Sequence, residues 1–434
     1  MDLPFLPSWI VWVVFIIGLY ALIIEGLKVF SAFGREMKAP HTSSSQPGPG
    51  TMEFVQALAN AVAAPVGTGG TVRILNDGDA FYPALFEEIQ NARHSVHIMT
   101  YIWRKGELSD RLFGELVRCV ERGVEVRVMM DGLGSVFAPR KDVDALRKAG
   151  GQIGIFSPLT FAEMIHINHR NHRRAFVIDG RIGFTGGITV ADQWLGHAQD
   201  TDHWRDLMVE VTGPLAHTLQ STFVQLWINV TGEVLTGPKY YPEIEAPIAN
   251  PEMLHVGVAS SPSSEVQPLL HFFWFTLHTA HTNIYIANAY FCPDRHLRGV
   301  LMDKARKGLD VRIMVPGRHT DSPVVRWSSH YFYRSYLEAG IRLFEYQPTM
   351  LHLKYMAVDD CWSVTGSANV DIRSVMTNQE NLLGIADEDL ADHFQNVFLE
   401  DMKRCKEITL EDWEKRPWWR HLGEQLAVLF KVQY

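Results

Sequence analysis

The chain is poor in cysteine. Four among 434 residues (Cys119, Cys292, Cys361 and Cys405) stand far apart, with no C-x-x-C pair. That scatter argues against a disulfide framework and a cysteine-based zinc site, and it fits a reducing compartment. Net positive charge is also missing: 40 Lys and Arg stand against 49 Asp and Glu, a formal net charge of −9. Nucleic-acid binding usually calls for a basic surface, so no such partner is expected. Charge of either sign is absent from Leu3 to Ile24, and Trp9 to Ile24 is almost wholly apolar. This length meets the roughly 20 residues needed to span hydrocarbon. Trp9, Trp12 and Tyr20 suit the interface, no Lys or Arg precedes the run, and Lys28, Arg35 and Lys38 follow it. The positive-inside rule then predicts a single-pass anchor with the bulk of the chain in the cytoplasm. A cleaved signal peptide would want a basic start and a small-x-small cleavage site, and neither is evident.

What is present is a packed, repeating chain. Hydrophobic residues make up 47% and charged residues 21%, as in ordinary globular domains. Val96-His97-Ile98-Met99 and Ile284-Tyr285-Ile286-Ala287 read as strands. Each leads to a helix-like segment closed by a glycine, Gly123 or Gly308, with a further strand behind it. Ala149-Gly150-Gly151 and Ala339-Gly340-Ile341 repeat the event. Strand–helix alternation predicts an α/β sheet in each half. The expected division is an anchor at 1–35, a Pro/Gly/Ser-rich linker at 36–52, two α/β domains at 53–240 and 241–405, and an aromatic, basic tail at 406–434.

One stretch carries the chemistry. His352, Lys354, Asp359, Gly366, Ser367 and Asn369 form the pattern H-x-K-x4-D-x6-G-S-x-N. An imidazole, an ammonium, a hydroxyl and an amide are the groups that gather around a phosphate. A degraded copy lies 180 residues upstream: His172, Arg174, Asp179, Gly186, Gly187 and Thr189. The spacing is identical, with Arg for Lys, Gly for Ser and Thr for Asn. Two copies would set two histidines against one phosphorus. Phe176-Val177-Ile178 and Met356-Ala357-Val358 read as strands, so His172 and Arg174 share a face, as do His352 and Lys354. Asp179 and Asp359 belong to the pattern but fall on the other face. Asp179-Gly180 is a hairpin-turn pair, so each Asp reads as forming a turn or holding a neighbouring donor.

These residues resemble the phospholipase D superfamily and, within it, bacterial cardiolipin synthases. Asn168 to Arg173, Val177 to Gly180 and Gly186-Gly187 are similar to the first motif of those synthases, and Tyr346 to His352 to the approach to the second. Trp204-Arg205-Asp206 and Asn378-Gln379-Glu380 sit where the family has comparable groups. The resemblance runs from about Phe54 to Cys405. It implies two phospholipase D-like α/β domains related by a pseudo-twofold axis, with one shared site between them. It implies phosphatidyl transfer through a phosphohistidine without metal or cofactor. The substrates would be phospholipids, phosphatidylglycerol and phosphatidylethanolamine among them, at the cell (inner) membrane. Lys354, Arg174, Ser367, Asn369 and Thr189 would bind phosphate oxygens, Glu380 would orient a histidine, and family habit favours His172 as nucleophile. A phospholipase D-type hydrolase and a non-catalytic lipid-binding homologue are the alternatives.

Plainer readings stand beside these. His166, His169 and His172 are spaced by three, which could suit a metal on a helix, but Glu163 is the only acidic neighbour. Trp204-Arg205-Asp206 could be a packed aromatic with an ion pair. Phe156, Leu159, Phe161 and Met164 crowd the approach to the first motif, as core or, where exposed, as an acyl-chain entrance. The tail, with Trp413, Trp418 and Trp419 among basic residues, could lie at a membrane interface or pack on the second domain.

Overall fold

The computed structural model describes Tyr20 and residues 47–160, 168–244, 246–262 and 267–429. The predicted anchor falls outside the described residues except for Tyr20, as do Phe161, Met164 and His166. Among the described residues, no helix is long and apolar enough to cross a membrane.

Strands alternate with helices, as the repeats imply. In chain order the strands are β1 (Val66–Thr68), β2 (Val72–Asn76), β3 (Ser95–Thr100), β4 (Glu125–Asp131), β5 (Gln152–Phe156), β6 (Ala175–Ile178), β7 (Ile182–Gly186) and β8 (Leu207–Thr212). The second half adds β9 (Leu254–Ser260), β10 (Asn283–Asn288), β11 (Asp310–Pro316), β12 (Arg342–Tyr346), β13 (Lys354–Val358), β14 (Trp362–Gly366), β15 (Glu380–Ala386) and β16 (Cys405–Ile408). They form two sheets, ordered β2-β8-β7-β6-β3-β4-β5 and β1-β9-β15-β14-β13-β10-β11-β12-β16. The shared inner order makes β3, β4 and β6 the counterparts of β10, β11 and β13. In each half three neighbours run parallel and the rest antiparallel.

The glycines after the helices do what the sequence suggests. Gly123 and Gly308 take φ of 86° and 94°, left-handed values that only glycine adopts without cost. Along β3 and β6 side chains alternate in role. Val96, Ile98, Phe176 and Ile178 enter one core with the helices Asp77–Asn91 and Glu107–Glu121. Met99, Ala175 and Val177 enter another. This second core also takes Tyr285, Ala287, Phe344 and Tyr355 from the second sheet, with Phe223 and Phe394 from helices Pro214–Thr231 and Glu388–Met402. One hydrophobic cluster therefore runs through both halves, which fixes the sheets against each other.

Residues 52–68, grouped by sequence with the first half, lie on the second sheet. β1 pairs with β9. The helix Met52–Val62 buries Phe54, Val55 and Leu58, and Phe54 meets Trp362 edge-on at 5.0 Å. Its apolar stripe fits the face offered by the helix Pro268–Thr279 and β9. The tail packs on the second half. β16 extends its sheet beyond β12, Trp413 is buried, and the helix Trp418–Leu429 lies along the helix Pro323–Glu338.

Candidate active site

Two short bridges between the halves build the site. Asn171 pairs with Gln379 and Leu351 with Arg205, both in parallel sense. His172 N donates to Gln379 O at 2.9 Å, and Gln379 N to Arg170 O at 2.8 Å. On the other side His352 N donates to Arg205 O at 2.7 Å, and Arg205 N to Met350 O at 2.9 Å. Each histidine is thus pinned beside the residue that precedes a carboxylate of the opposite half: Glu380 for His172, Asp206 for His352.

The pairing is reciprocal. Asp206 Oδ2 lies 2.6 Å from His352 Nδ1 and accepts from Trp194 Nε1 at 2.9 Å, while Oδ1 accepts from Leu207 N at 2.9 Å. Glu380 Oε1 stands 3.5 Å from His172 Nδ1, and Asn378 Nδ2 stands 3.3 Å from the same nitrogen. Glu380 also accepts from Ser367 Oγ at 2.5 Å and Ser374 Oγ at 3.0 Å. Both carboxylates are fully buried.

Lys354 and Arg174 do similar work despite their different shapes. Lys354 Nζ donates to His352 O at 2.7 Å and lies 3.1 Å from both ring nitrogens. Arg174 Nη1 donates to His172 O at 3.1 Å and Ser367 O at 3.3 Å. His172 Nε2, Thr189 Oγ1 and Asn369 Oδ1 are buried without a hydrogen-bond partner. Polar atoms left so cost free energy unless something is held there.

The Gly187 departure has a steric cause. A Cβ at Gly187 would fall 2.1 Å from Asp206 Oδ1. The first half therefore combines Gly with Asp where the second combines Ser367 with Glu380, and the shorter carboxylate fills the space of the missing hydroxyl. Ser367, expected to bind phosphate, gives its proton to Glu380 and accepts from Asn381 N at 2.9 Å, which makes it a support for the carboxylate.

Asp179 and Asp359 are not brought to the histidines. Each takes positive φ, 54° and 51°, in the turn beyond β6 or β13, a strand's length from the imidazoles. Asp179 accepts from the backbone N–H groups of Arg93, His94 and Ser95 at 2.7–2.8 Å. Asp359 accepts likewise from His281, Thr282 and Asn283 at 2.6–3.1 Å. Each clamps the entry to β3 or β10 and so fixes the strand beside the histidine hairpin.

Tyr101, Trp194 and Tyr290 were not singled out by sequence, whereas Trp204 was. The Tyr101 ring lies 4.0 Å from that of His172, and Trp194 and Trp204 each lie 5.4 Å from His352. Tyr101 follows β3 and Tyr290 follows β10, so the repeat itself carried a signal for them. Trp204-Arg205-Asp206 fits both of its readings. Arg205 forms buried ion pairs with Asp77 at 3.0 Å and Asp401 at 2.9 Å, while Asp206 meets His352.

Burial, and after it the surrounding cations, sets the proton affinities. Burial, then Lys354, lowers His352 to about 4 against the pull of Asp206. Burial, then Arg174 and other cations, holds His172 well below the ordinary histidine value. Burial brings Lys354 down to about 7 and raises Glu380 to about 7. Burial opposes the charge of Asp206, but His352 and Lys354 keep its pKa low. Both imidazoles are therefore neutral at pH 7 when no anion is bound. A phosphodiester would add negative charge and favour their protonated forms. The arrangement can offer one imidazole as nucleophile and one as acid.

The family described as "Cardiolipin synthase, PLD-like domain" matches residues 85–227 and 275–402. A cardiolipin synthase of Geobacillus sp. (strain WCH70) is 34% identical over 81% of this chain and 70% of its own length. One of Staphylococcus aureus (strain Mu50 / ATCC 700699) is 31% identical over 87% of this chain and 76% of its own. The crystal structure of a phosphatidylserine synthase of Haemophilus influenzae Rd KW20 superposes with a TM-score of 0.68 at 16% identity, covering 88% of this chain and 100% of that one. At that identity the likeness speaks for the fold. Two phospholipase D-like domains and a match over most of the chain place this protein in the cardiolipin synthase family.

Proposed function

We propose that the protein is a membrane-anchored phosphatidyltransferase that makes cardiolipin and glycerol from two molecules of phosphatidylglycerol. The observation that carries this reading is the pair of imidazoles, each held by a carboxylate of the opposite half among Lys354 and Arg174. The N-terminal apolar run would hold the domains at the cytoplasmic face of the cell membrane.

In the first step His172 Nε2 attacks phosphorus and forms a P–N bond. The P–O bond to glycerol breaks, and protonated His352 gives its Nε2 proton to the departing oxygen. Asp206, on Nδ1, favours that proton once the anionic substrate is bound. In the second step neutral His352 takes the hydroxyl proton of the incoming phosphatidylglycerol. Its oxygen attacks phosphorus and the P–N bond breaks. Lys354, Arg174, Thr189 and Asn369 hold the non-bridging oxygens as charge grows on them. Splitting one displacement into two lets one pair of histidines serve both directions of proton transfer.

The test supplies purified full-length protein with labelled phosphatidylglycerol in detergent, with and without phosphatidylethanolamine. Cardiolipin is the expected product, and phosphatidic acid alone would refute the reading in favour of a hydrolase. His172→Ala and His352→Ala should each lose roughly 10³-fold or more in turnover. Near-normal turnover of His172→Ala would show the first half to be scaffold.

A further inference from the structure

Large apolar side chains stand exposed at matching places in the two halves. Leu133, Val136 and Phe137, in the loop leaving β4, are 38%, 49% and 72% exposed. Trp327 and Tyr331, on the helix that follows β11, are 48% and 45% exposed. Single exposed apolar residues need no explanation, but β4 and β11 are counterparts, so the segments that carry these clusters follow matching strands of the two halves.

The segment that carries each cluster is fastened to residues beside the site. Asp131 accepts from Leu133 N at 2.8 Å, Gly134 N at 3.0 Å and Asn171 N at 2.8 Å, so one carboxylate ties the loop to the residue before His172. Gly134 also packs against Tyr101, where a Cβ would meet the carbonyl oxygen at 2.2 Å, and Tyr101 lies against His172. In the second half Ser329 Oγ donates to Phe291 O at 2.6 Å. Val325, Ser329 and Tyr333 line a cavity with Tyr290, whose ring is 6.1 Å from that of His352.

Charge points to the partner. In a chain of net charge −9, the exposed Arg104, Lys105, Arg140 and Lys141 border the first cluster. Lys105 N donates to Phe137 O at 3.1 Å, which keeps a cation beside the apolar tip. Apolar side chains rimmed by cations suit the surface of an anionic lipid leaflet.

We propose that these two clusters are the membrane-contact surface, which dips into an anionic leaflet and sets the shared site against its headgroups. This rests on the phosphatidyl-transfer reading. The test uses full-length Val136→Ser/Phe137→Ser and Trp327→Ser/Tyr331→Ser proteins on two substrates: long-chain phosphatidylglycerol in vesicles, and dihexanoyl phosphatidylglycerol as dissolved monomers. Turnover on vesicles should fall about tenfold or more, since each pair withdraws large apolar surface from the lipid. Turnover of monomers should stay within about twofold. Unchanged turnover on vesicles, or equal loss on both substrates, overturns the proposal. A second readout is an environment-sensitive dye on Phe137→Cys, expected to shift blue on phosphatidylglycerol vesicles and not on phosphatidylcholine vesicles. Transfer activity without the shift sinks the contact surface alone. The shift without turnover of either substrate sinks the phosphatidyl-transfer reading and leaves the contact surface standing.

Discussion

Gly187→Ser would make the first motif look more like the second, and we expect it to damage the enzyme. The new Cβ would stand 2.1 Å from Asp206 Oδ1 and 2.5 Å from Oδ2, below any tolerated contact. The carboxylate cannot turn aside freely, because Leu207 N, Trp194 Nε1 and His352 hold it at 2.9, 2.9 and 2.6 Å. Displacing it forfeits the charged hydrogen bond to His352, worth about 1.5–3 kcal/mol, or roughly 10- to 100-fold in turnover. The assay is cardiolipin formation from phosphatidylglycerol across a pH range. Gly187→Ala should fail to a similar degree, since the clash comes from Cβ and not from the hydroxyl. The double change Gly187→Ser/Asp206→Glu rebuilds the second-half arrangement and should recover part of the loss. Wild-type turnover and an unchanged pH profile for Gly187→Ser would refute the reasoning.

Two further outcomes follow from buried charge. Arg205→Ala strands Asp77 and Asp401, so thermal unfolding in detergent should show a loss of about 3–5 kcal/mol, far more than Arg334→Ala on the exposed face. His352 should titrate near 4 in the ligand-free protein, and orthovanadate should move its pKa upward because a bound anion favours the imidazolium. Histidine-labelled NMR reads this directly, and a downward or absent shift would show that the anion does not bind beside His352.

Local chemistry was legible and through-space chemistry was not. The hairpins around Asp179 and Asp359 follow from short-range turn propensity, and the strands from β-branched and apolar runs. Both recur because the chain repeats. The placement of residues 52–68 depends on β1 pairing with β9, nearly 190 positions away, and no local pattern carries that information. Asp206 was visible only as one acid in a triplet. Its role depends on a bridge to Leu351 in the other half. Gly187 looked like decay until its neighbour was in place, because the constraint is a contact and not a propensity. Arg174 shows the converse: its guanidinium reaches the carbonyl of His172 as Lys354 reaches that of His352, so the altered residue makes the matching contact.

The crossed bridges make the reactive centre a report on completed folding. A chain whose first half has folded alone carries His172 without Glu380, and a second half alone carries His352 without Asp206. Each imidazole therefore meets its carboxylate only when both halves have docked. The same crossing couples the two halves through single residues. A change at Asp206 is felt by Gly187 on its own side and by His352 on the other.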